Sequence, residues 1–121
     1  VHIFIEKCIK RYEKLGHCLC AGIDPDLKKL PKDYKKDLVG LKKYLDDYIS
    51  YSKNYVIAYK PNLSFFEALG INGLQLLKDL IKSIDSDIPV ILDAKRGDIG
   101  NTSEMQASYI YDFFEADATT L

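Results

Sequence analysis

The chain contains 121 residues, of which 47% are hydrophobic and 29% are charged. This composition excludes a disordered chain, and the sequence has no apolar run of the roughly 18 residues that a membrane span requires. Seventeen basic residues against 18 acidic residues leave a net charge of -1. This balance argues against binding to nucleic acid or to an anionic membrane, because both require a positively charged surface.

Three cysteines, Cys8, Cys18 and Cys20, are too few for a disulfide framework. Cys18 and Cys20 alternate along an apolar stretch and do not have the spacing of a metal-binding pair. The sequence therefore favours a reducing compartment, which we expect to be the cytoplasm. The first ten residues do not resemble a signal peptide, and the chain opens on Val1, so we expect a segment of a longer protein.

The first part of the chain predicts a helix, a strand and a second helix. Apolar residues at helical spacing begin at Ile5, and Gly16 marks the end of that helix. The continuous apolar run from Cys18 to Ile23 predicts a strand buried on both faces, ended by the turn at 24–26. The apolar positions of the first helix are Ile5, Cys8, Ile9 and Tyr12, and those of the second are Leu38, Leu41, Leu45, Tyr48 and Ile49.

The remaining sequence repeats the same alternation. A buried strand over 55–59 runs into Lys60 and is expected to stop at Pro61, which has no N–H to donate. Helical segments follow over 64–69 and from Leu74, and a third strand covers 89–92. Asn101 with Glu104 resembles a capping box for a last helix, and 116–121 predicts a fourth strand. The apolar face of that last helix is predicted to be Met105, Tyr109, Ile110 and Phe113.

Regular alternation of strands and helices predicts an α/β fold with parallel strands. Two architectures have this pattern, the doubly wound sheet and the TIM (β/α)8 barrel. Three successive strands end in ionisable residues, which favours the barrel, where the carboxyl ends of all strands meet at one site. A complete barrel needs about 250 residues. We therefore expect residues 1–121 to be the amino-terminal half of a single (β/α)8 domain, and we do not expect this half to be active alone.

The charged residues after the third strand form the candidate site. Side chains alternate along a strand, so Asp93 and Lys95 share a face, and Asp98 follows Gly97, at which the loop is expected to turn. A lysine between two aspartates favours its ammonium form and suits a proton donor better than an amine nucleophile. An ordinary ion network at the rim of a sheet would have the same pattern. The residues Asp24 and Lys60 at other strand ends make a functional site the better interpretation.

Three motifs now point to one family. They are Asp93-Ala-Lys95-Arg-Gly-Asp98-Ile99-Gly-Asn101-Thr102, Leu19-Cys-Ala-Gly22-Ile-Asp24-Pro25-Asp26 and Tyr59-Lys60-Pro61-Asn62. In order and spacing they resemble the signature of orotidine 5′-monophosphate decarboxylase. The resemblance implies a TIM barrel that acts as a homodimer. It also implies a lyase that converts orotidine 5′-monophosphate to UMP and carbon dioxide in de novo pyrimidine biosynthesis, without a metal or an organic cofactor.

The same resemblance implies a role for each matching residue. Asp24 and Lys60 would bind the ribose hydroxyls, with Asn62 beside them. Asp93 would face the carboxylate of the substrate, and Lys95 would protonate C6. Three residues would reach into the active site of the partner subunit and complete an alternating array of lysines and aspartates: Asp98, Ile99 and Thr102. The residues that bind the phosphate and the pyrimidine in this family would come after Leu121.

Other functions stay open from the sequence alone. A metal-dependent keto-gulonate phosphate decarboxylase of the same superfamily looks similar around Asp93, Lys95 and Asp98. That relative carries a carboxylate at the end of the second strand, where this chain has Lys60, which would repel a magnesium ion. A Schiff-base aldolase is less favoured because Lys95 lies between two carboxylates. A non-catalytic half-barrel module is the alternative outside the enzymes.

Overall fold

The computed structural model describes residues 2–121, and it alternates helices with short strands. The helices are α1 (Ile3–Leu15), α2 (Leu38–Ser52), α3 (Leu63–Glu67), α4 (Gly70–Ser83) and α5 (Gly100–Ser108). The strands are β1 (Cys20–Ile23), β2 (Ala58–Pro61), β3 (Ile91–Leu92) and β4 (Ala118–Thr119). A 3-10 turn at Leu27–Lys29 follows β1, and a π-helical turn at Tyr109–Phe113 extends α5. Within 2–121, no helix has both the length and the apolar character needed to cross a membrane.

The strands are parallel and lie in chain order. β1 pairs with β2, with Cys20 opposite Ala58, and β3 pairs with β4, with Ile91 opposite Ala118. Backbone hydrogen bonds join β2 to β3, including one of 3.0 Å from the N–H of Tyr59 to the carbonyl of Pro89. The resulting neighbour order is β1-β2-β3-β4. A doubly wound sheet reverses its strand order at a switch point, whereas a barrel does not. The fold is therefore the predicted α/β fold and corresponds to half of a TIM barrel.

β2 ends at Pro61, as predicted. Alternate residues of this segment turn their backbone nitrogens towards β3, and both Tyr59 and Leu63 donate hydrogen bonds there. Pro61 has no N–H, so the bond between these two is missing. Its carbonyl nevertheless accepts a hydrogen bond of 2.9 Å from the N–H of Asp93. The proline thus removes one hydrogen bond from the ladder between β2 and β3 at the end of the strand.

Helices α2 and α4 cover the sheet with the apolar faces that the sequence predicts. Leu41, Leu45 and Ile49 of α2 are buried. On α4 and directly after it, the predicted residues Leu77, Leu80, Ile81 and Ile84 are buried as well. Helix α3 packs closely against α4 at Gly73, where a Cβ atom would lie 2.2 Å from the carbonyl oxygen of Phe66. A glycine is required at this position because any side chain would displace one of the two helices.

Helix α1 ends at Gly16 as predicted, with a left-handed φ of 74°. Its apolar positions do not form a buried face, since Ile5, Ile9 and Tyr12 are each about half exposed. The buried residue of this helix is Arg11. Its guanidinium donates to the carbonyl of Lys53 at 2.6 Å and to the carbonyl of Val56 at 2.5 Å. The helix is therefore held through polar bonds to the segment between α2 and β2, which leaves its apolar stripe uncovered by residues 2–121.

Strand β1 is less buried than predicted. Cys20 is exposed and only Ile23 is buried, because β1 pairs with β2 on one side and, within 2–121, has no strand on its other side.

Helix α5 also departs from the prediction. Its N-cap is Ile99, without a side-chain hydrogen bond, so the capping box of Asn101 and Glu104 does not form. Met105 is exposed, and the buried residues are Ile110 and Phe114. The π-helical turn explains why Phe114 is buried in place of the predicted Phe113. The N–H of Phe114 bonds to the carbonyl of Tyr109, five residues earlier, and the wider turn shifts the buried face by one residue.

Arg11 provides a test of how α1 is attached. In the full-length protein, we expect Arg11→Met to lower the free energy of unfolding by about 2–4 kcal/mol, because the buried carbonyl of Val56 and the partly buried carbonyl of Lys53 lose their donor. Chemical denaturation measures this change, and Lys10→Met, at an exposed position of the same helix, is the control. Equal losses in the two variants would show that the bonds of Arg11 do not hold the helix.

Candidate functional site

The side chain of Asp93 lies at the centre of the site, at the carboxyl ends of three strands. It is only 7% exposed. Its Oδ2 lies 3.2 Å from Nζ of Lys60, and its Oδ1 lies 2.6 Å from Nζ of Lys95. The hydroxyl of Thr120 donates to the same Oδ1 at 2.6 Å. The structure therefore joins Lys60, Asp93 and Lys95, as the sequence predicts, and adds a hydroxyl from the residue that follows β4.

The backbone positions these groups from neighbouring strands. Lys60 is the third residue of β2, and Asp93 follows β3 directly. Lys95 lies in the next loop with a left-handed φ of 49°, which is uncommon for a residue that has a Cβ atom. Gly97, which was expected to form this turn, has no positive φ, whereas Gly100 further along has one of 54°. The unusual backbone of the loop is thus at the lysine itself.

The surroundings of Asp93 keep its carboxyl group ionised. The hydrogen bond from Lys95 is the largest influence that lowers the pKa of Asp93, followed by the hydrogen bond from Thr120, and Lys60 adds to both. Burial acts in the opposite direction but is outweighed. The pKa of Asp93 therefore lies well below its ordinary value. A negative charge is held between two ammonium groups, of which Lys60 is 39% exposed and Lys95 66% exposed.

Asp24 and Asn62 form a second part of the site beside this array. β1 and β2 end next to each other, and Nδ2 of Asn62 lies 3.4 Å from Oδ2 of Asp24. The Oδ1 of Asn62 accepts a hydrogen bond from the N–H of Ser64, which fixes the amide at the start of α3. Asp24 is exposed. These two polar side chains, like Lys60, lie at the carboxyl ends of the strands.

The remaining predicted site residues lie apart from the array. Asp98, Ile99 and Thr102 are exposed, and Ile99 is 86% exposed. The Oδ1 of Asp98 accepts a hydrogen bond of 2.8 Å from the N–H of Ile99. Within residues 2–121, Lys95 forms its salt bridge with Asp93 and none with Asp98. A single chain thus assembles three members of the alternating array and leaves Asp98 outside it.

Three residues that shape the site, Arg96, Glu67 and Thr120, were not predicted from the sequence. Arg96 forms a salt bridge with Glu67 of α3 and also donates to the carbonyl of Ala94, so it anchors the loop that carries Lys95. No local pattern connects Glu67 with Arg96. Thr120 could have been found, because it lies at the carboxyl end of a predicted strand, the feature that identified Asp24, Lys60 and Asp93.

In the part of the chain that the structure describes, no cluster of three His, Cys, Asp or Glu side chains is arranged to hold a metal ion.

The contacts of Asp93 predict how the stability of the protein depends on pH. Its pKa is lower in the folded protein than the value of about 3.9 in an unfolded chain. Its stabilising effect is therefore fully present above about pH 4 and is lost as the pH falls further. We expect Asp93→Asn to lower the free energy of unfolding at neutral pH by an amount that shrinks in acid.

Denaturation of the full-length protein between neutral pH and pH 2 measures this dependence. Asp46→Asn is the control, because Asp46 forms an exposed ion pair with Lys42 and should change stability little at any pH. A difference between Asp93→Asn and the unaltered protein that stays constant down to pH 2 would contradict the proposed state of Asp93.

The chain is similar to proteins of one family. A family model described as orotidine 5′-phosphate decarboxylase / HUMPS family matches residues 17–121. A curated orotidine 5′-phosphate decarboxylase of Herpetosiphon aurantiacus is 48% identical over 103 residues, which are 85% of this chain and 39% of that protein. One from Leptospira interrogans is 36% identical over 121 residues, covering 98% of this chain and 44% of its own length.

A solved structure has the same fold. The structure of Leishmania donovani OMP decarboxylase superposes with a TM-score of 0.81 at 31% identity, covering 96% of this chain and 42% of that one. The chain thus spans about two fifths of the length of the relatives that it matches. Because the family model covers nearly all of the sequence, the chain belongs to the orotidine 5′-phosphate decarboxylase / HUMPS family.

Proposed function

We propose that the protein containing this chain decarboxylates orotidine 5′-monophosphate to UMP in de novo pyrimidine biosynthesis. The observation that carries the proposal is the buried carboxylate of Asp93 held between the ammonium groups of Lys60 and Lys95. The names of the curated relatives give the reaction. Residues 1–121 would form the amino-terminal half of a single barrel domain, so the activity belongs to the full-length protein and not to this half alone.

The array suits a reaction that leaves an electron pair on carbon. In the proposed step the bond between C6 and the carboxylate breaks, the electron pair stays on C6, and carbon dioxide leaves. Asp93 would face the departing carboxylate, so that the repulsion between the two negative charges disappears as neutral carbon dioxide forms. The ammonium of Lys95 would stabilise the charge that develops on C6 and then transfer a proton to it. After the product leaves, solvent would return the proton to Lys95.

Substrate binding would use the residues at the ends of β1 and β2. Asp24, Lys60 and Asn62 can supply hydrogen-bond acceptors and donors for the ribose hydroxyls. The contact of 3.4 Å between Asn62 and Asp24 supports a shared role for these two side chains. The groups that bind the phosphate and the pyrimidine would come from the part of the protein after Leu121.

The proposed reaction needs neither a metal nor an organic cofactor, because the fixed ammonium of Lys95 takes the place of an electron sink. The metal-dependent decarboxylase of the same superfamily is the second candidate. Lys60 argues against it, since its Nζ lies 3.2 Å from Asp93, where its positive charge would repel a magnesium ion that Asp93 helped to bind.

A homodimer with shared active sites is the proposed assembly. Asp98, Ile99 and Thr102 are exposed and outside the array of their own chain, which leaves them available to a second subunit. The unpaired state of Cys8, Cys18 and Cys20 supports a reducing compartment, and we propose the cytoplasm. The near-neutral charge favours a small-molecule substrate over nucleic acid or a membrane as the partner.

Turnover tests the function directly. The full-length protein should consume orotidine 5′-monophosphate in an assay followed by ultraviolet absorbance. We expect Lys95→Ala to abolish detectable decarboxylation and to leave the fold intact, because the proton donor is lost. Lys42→Ala, at an exposed position of α2, is the control.

Two results would count against the proposal. No turnover by the folded, dimeric, unaltered protein would exclude the function. Activity of Lys95→Ala within about tenfold of the unaltered protein would exclude Lys95 as the proton donor, because general acid catalysis contributes about 10²–10⁴-fold.

Mixed dimers test whether the sites are shared. Lys95→Ala and Asp98→Ala subunits should each be nearly inactive as homodimers. In a mixed dimer, one site would carry both substitutions and the other would carry neither. Random exchange makes about half of the dimers mixed, so we expect activity to return to about a quarter of that of the unaltered protein.

A mixture of Lys95→Ala with Lys60→Ala subunits is the matched control. Both lysines would act in their own subunit, so every site of that mixed dimer keeps one substitution and no activity should return. Native mass spectrometry verifies that mixed dimers form. If they form and the first mixture stays inactive, Asp98 serves its own subunit and the sites are not shared.

A further inference from the structure

Among residues 2–121, the side chain of Asp93 bonds to Lys60, Lys95 and Thr120, and Thr120 has no role in the proposed reaction or in substrate binding. It is half-buried and follows the last residue of β4. Its Oγ1 donates a hydrogen bond of 2.6 Å to Oδ1 of Asp93 and accepts one of 3.2 Å from the backbone N–H of Lys95. A single hydroxyl therefore contacts the side chain of one array member and the backbone of another.

We propose that Thr120 is a positioning residue whose hydroxyl locks the backbone of Lys95 to the carboxylate of Asp93 and so fixes the direction of the Lys95 ammonium. This inference rests on the proposed function, since it concerns the group proposed to protonate C6. Thr120 does not take part in bond making or breaking.

The backbone of Lys95 shows why such a lock is needed. A left-handed φ of 49° is disfavoured for a residue that has a Cβ atom, so it persists only where surrounding contacts maintain it. The N–H of Lys95 finds its acceptor in Thr120. Without that acceptor, the loop could return to a more favourable backbone conformation, which would move the side chain that starts from it.

The contacts of Asp93 show that the lock acts on both ends of the lysine. The Nζ of Lys95 lies 2.6 Å from Oδ1 of Asp93, the same oxygen that accepts the hydrogen bond from Thr120. Thr120, Asp93 and Lys95 therefore form a closed ring of contacts through the backbone and the side chain of the lysine. A displacement of about 1 Å in a reacting group can reduce a rate by about 100-fold, so a group that holds this ring closed affects the reaction without touching the substrate.

The chain supplies a matched control in the preceding residue. Thr119 is the last residue of β4 and lies opposite Leu92 of β3. Its hydroxyl donates to the carbonyl of Leu92 at 2.9 Å and forms no hydrogen bond with Asp93. The carbonyl of Leu92 also accepts the N–H of Thr120, so it keeps a partner when the hydroxyl of Thr119 is removed. Thr119→Val thus removes a hydroxyl from the same strand without opening the ring.

Steady-state kinetics of the full-length protein test the proposal. Thr120→Val keeps the shape of the side chain, and Thr120→Ala is smaller and cannot clash. We expect both to lower kcat by about 10- to 100-fold while KM changes by less than about threefold, because the substrate contacts remain. Thr120→Ser keeps the hydroxyl and should restore kcat to within about threefold, and Thr119→Val should do the same.

Crystal structures of the variants give a readout that does not need turnover. In Thr120→Val or Thr120→Ala, Lys95 should leave its left-handed conformation and its Nζ should move away from Asp93, while Thr120→Ser should retain both. The proposal is wrong if the hydroxyl-free variants keep kcat, if Thr120→Ser loses as much as they do, or if Lys95 keeps its position in them. An inactive unaltered protein would instead refute the proposed function, and the structures would still decide the role of Thr120.

Discussion

The buried carboxylate of Asp93 is the constraint on which the candidate site depends. A carboxylate that is 7% exposed has lost most of its hydration, and such a group is tolerated only where charges and hydrogen bonds replace the lost water. Lys60, Lys95 and Thr120 supply these partners from β2, from the loop after β3 and from the residue after β4. The two lysines remain partly exposed, so the desolvation cost falls mainly on the carboxylate. The burial of this one charge thus requires three neighbouring chain segments to bring polar groups to the same carboxylate.

The main chain of Asp93 is held as firmly as its side chain. Its N–H donates to the carbonyl of Pro61, and its carbonyl accepts from the N–H of Leu63. These two bonds both follow the position where Pro61 lacks a donor, so the sheet is continuous at Asp93 although the ladder is interrupted just before it. The end of β2 and the start of α3 are therefore fixed relative to Asp93. This pairing with Asp93 therefore also positions Lys60 and Asn62, which lie on either side of Pro61 in the sequence.

The sequence predicted features that depend on local pattern. The apolar spacing of Leu41, Leu45 and Ile49 is visible in any window of α2, and the position of Lys60 and Asp93 after apolar runs marks strand ends. It failed where a polar contact joins distant segments. Nothing in the sequence around Arg11 indicates that it will be buried and bonded to carbonyls more than 40 residues away. The π-helical turn, which buries Phe114 and leaves Phe113 exposed, has no periodic pattern in the sequence. Thr120 was missed because a hydroxyl carries no charge, although its place at a strand end was predictable.

The loop after Lys95 shows why a short spacing in sequence does not ensure a contact. Asp98 lies three residues from Lys95, yet the left-handed backbone of Lys95 and the salt bridge from Arg96 to Glu67 direct the loop away from the array. Asp98 is exposed and hydrated within residues 2–121, so its charge carries no desolvation cost there. Within residues 2–121, Lys95 is 66% exposed and has one carboxylate partner. In the proposed homodimer, the carboxylate of Asp98 of one copy could pair with the ammonium of Lys95 of the other copy, because the two groups have opposite charges. Such a contact would remove water from both charges at once and would leave neither charge unpaired.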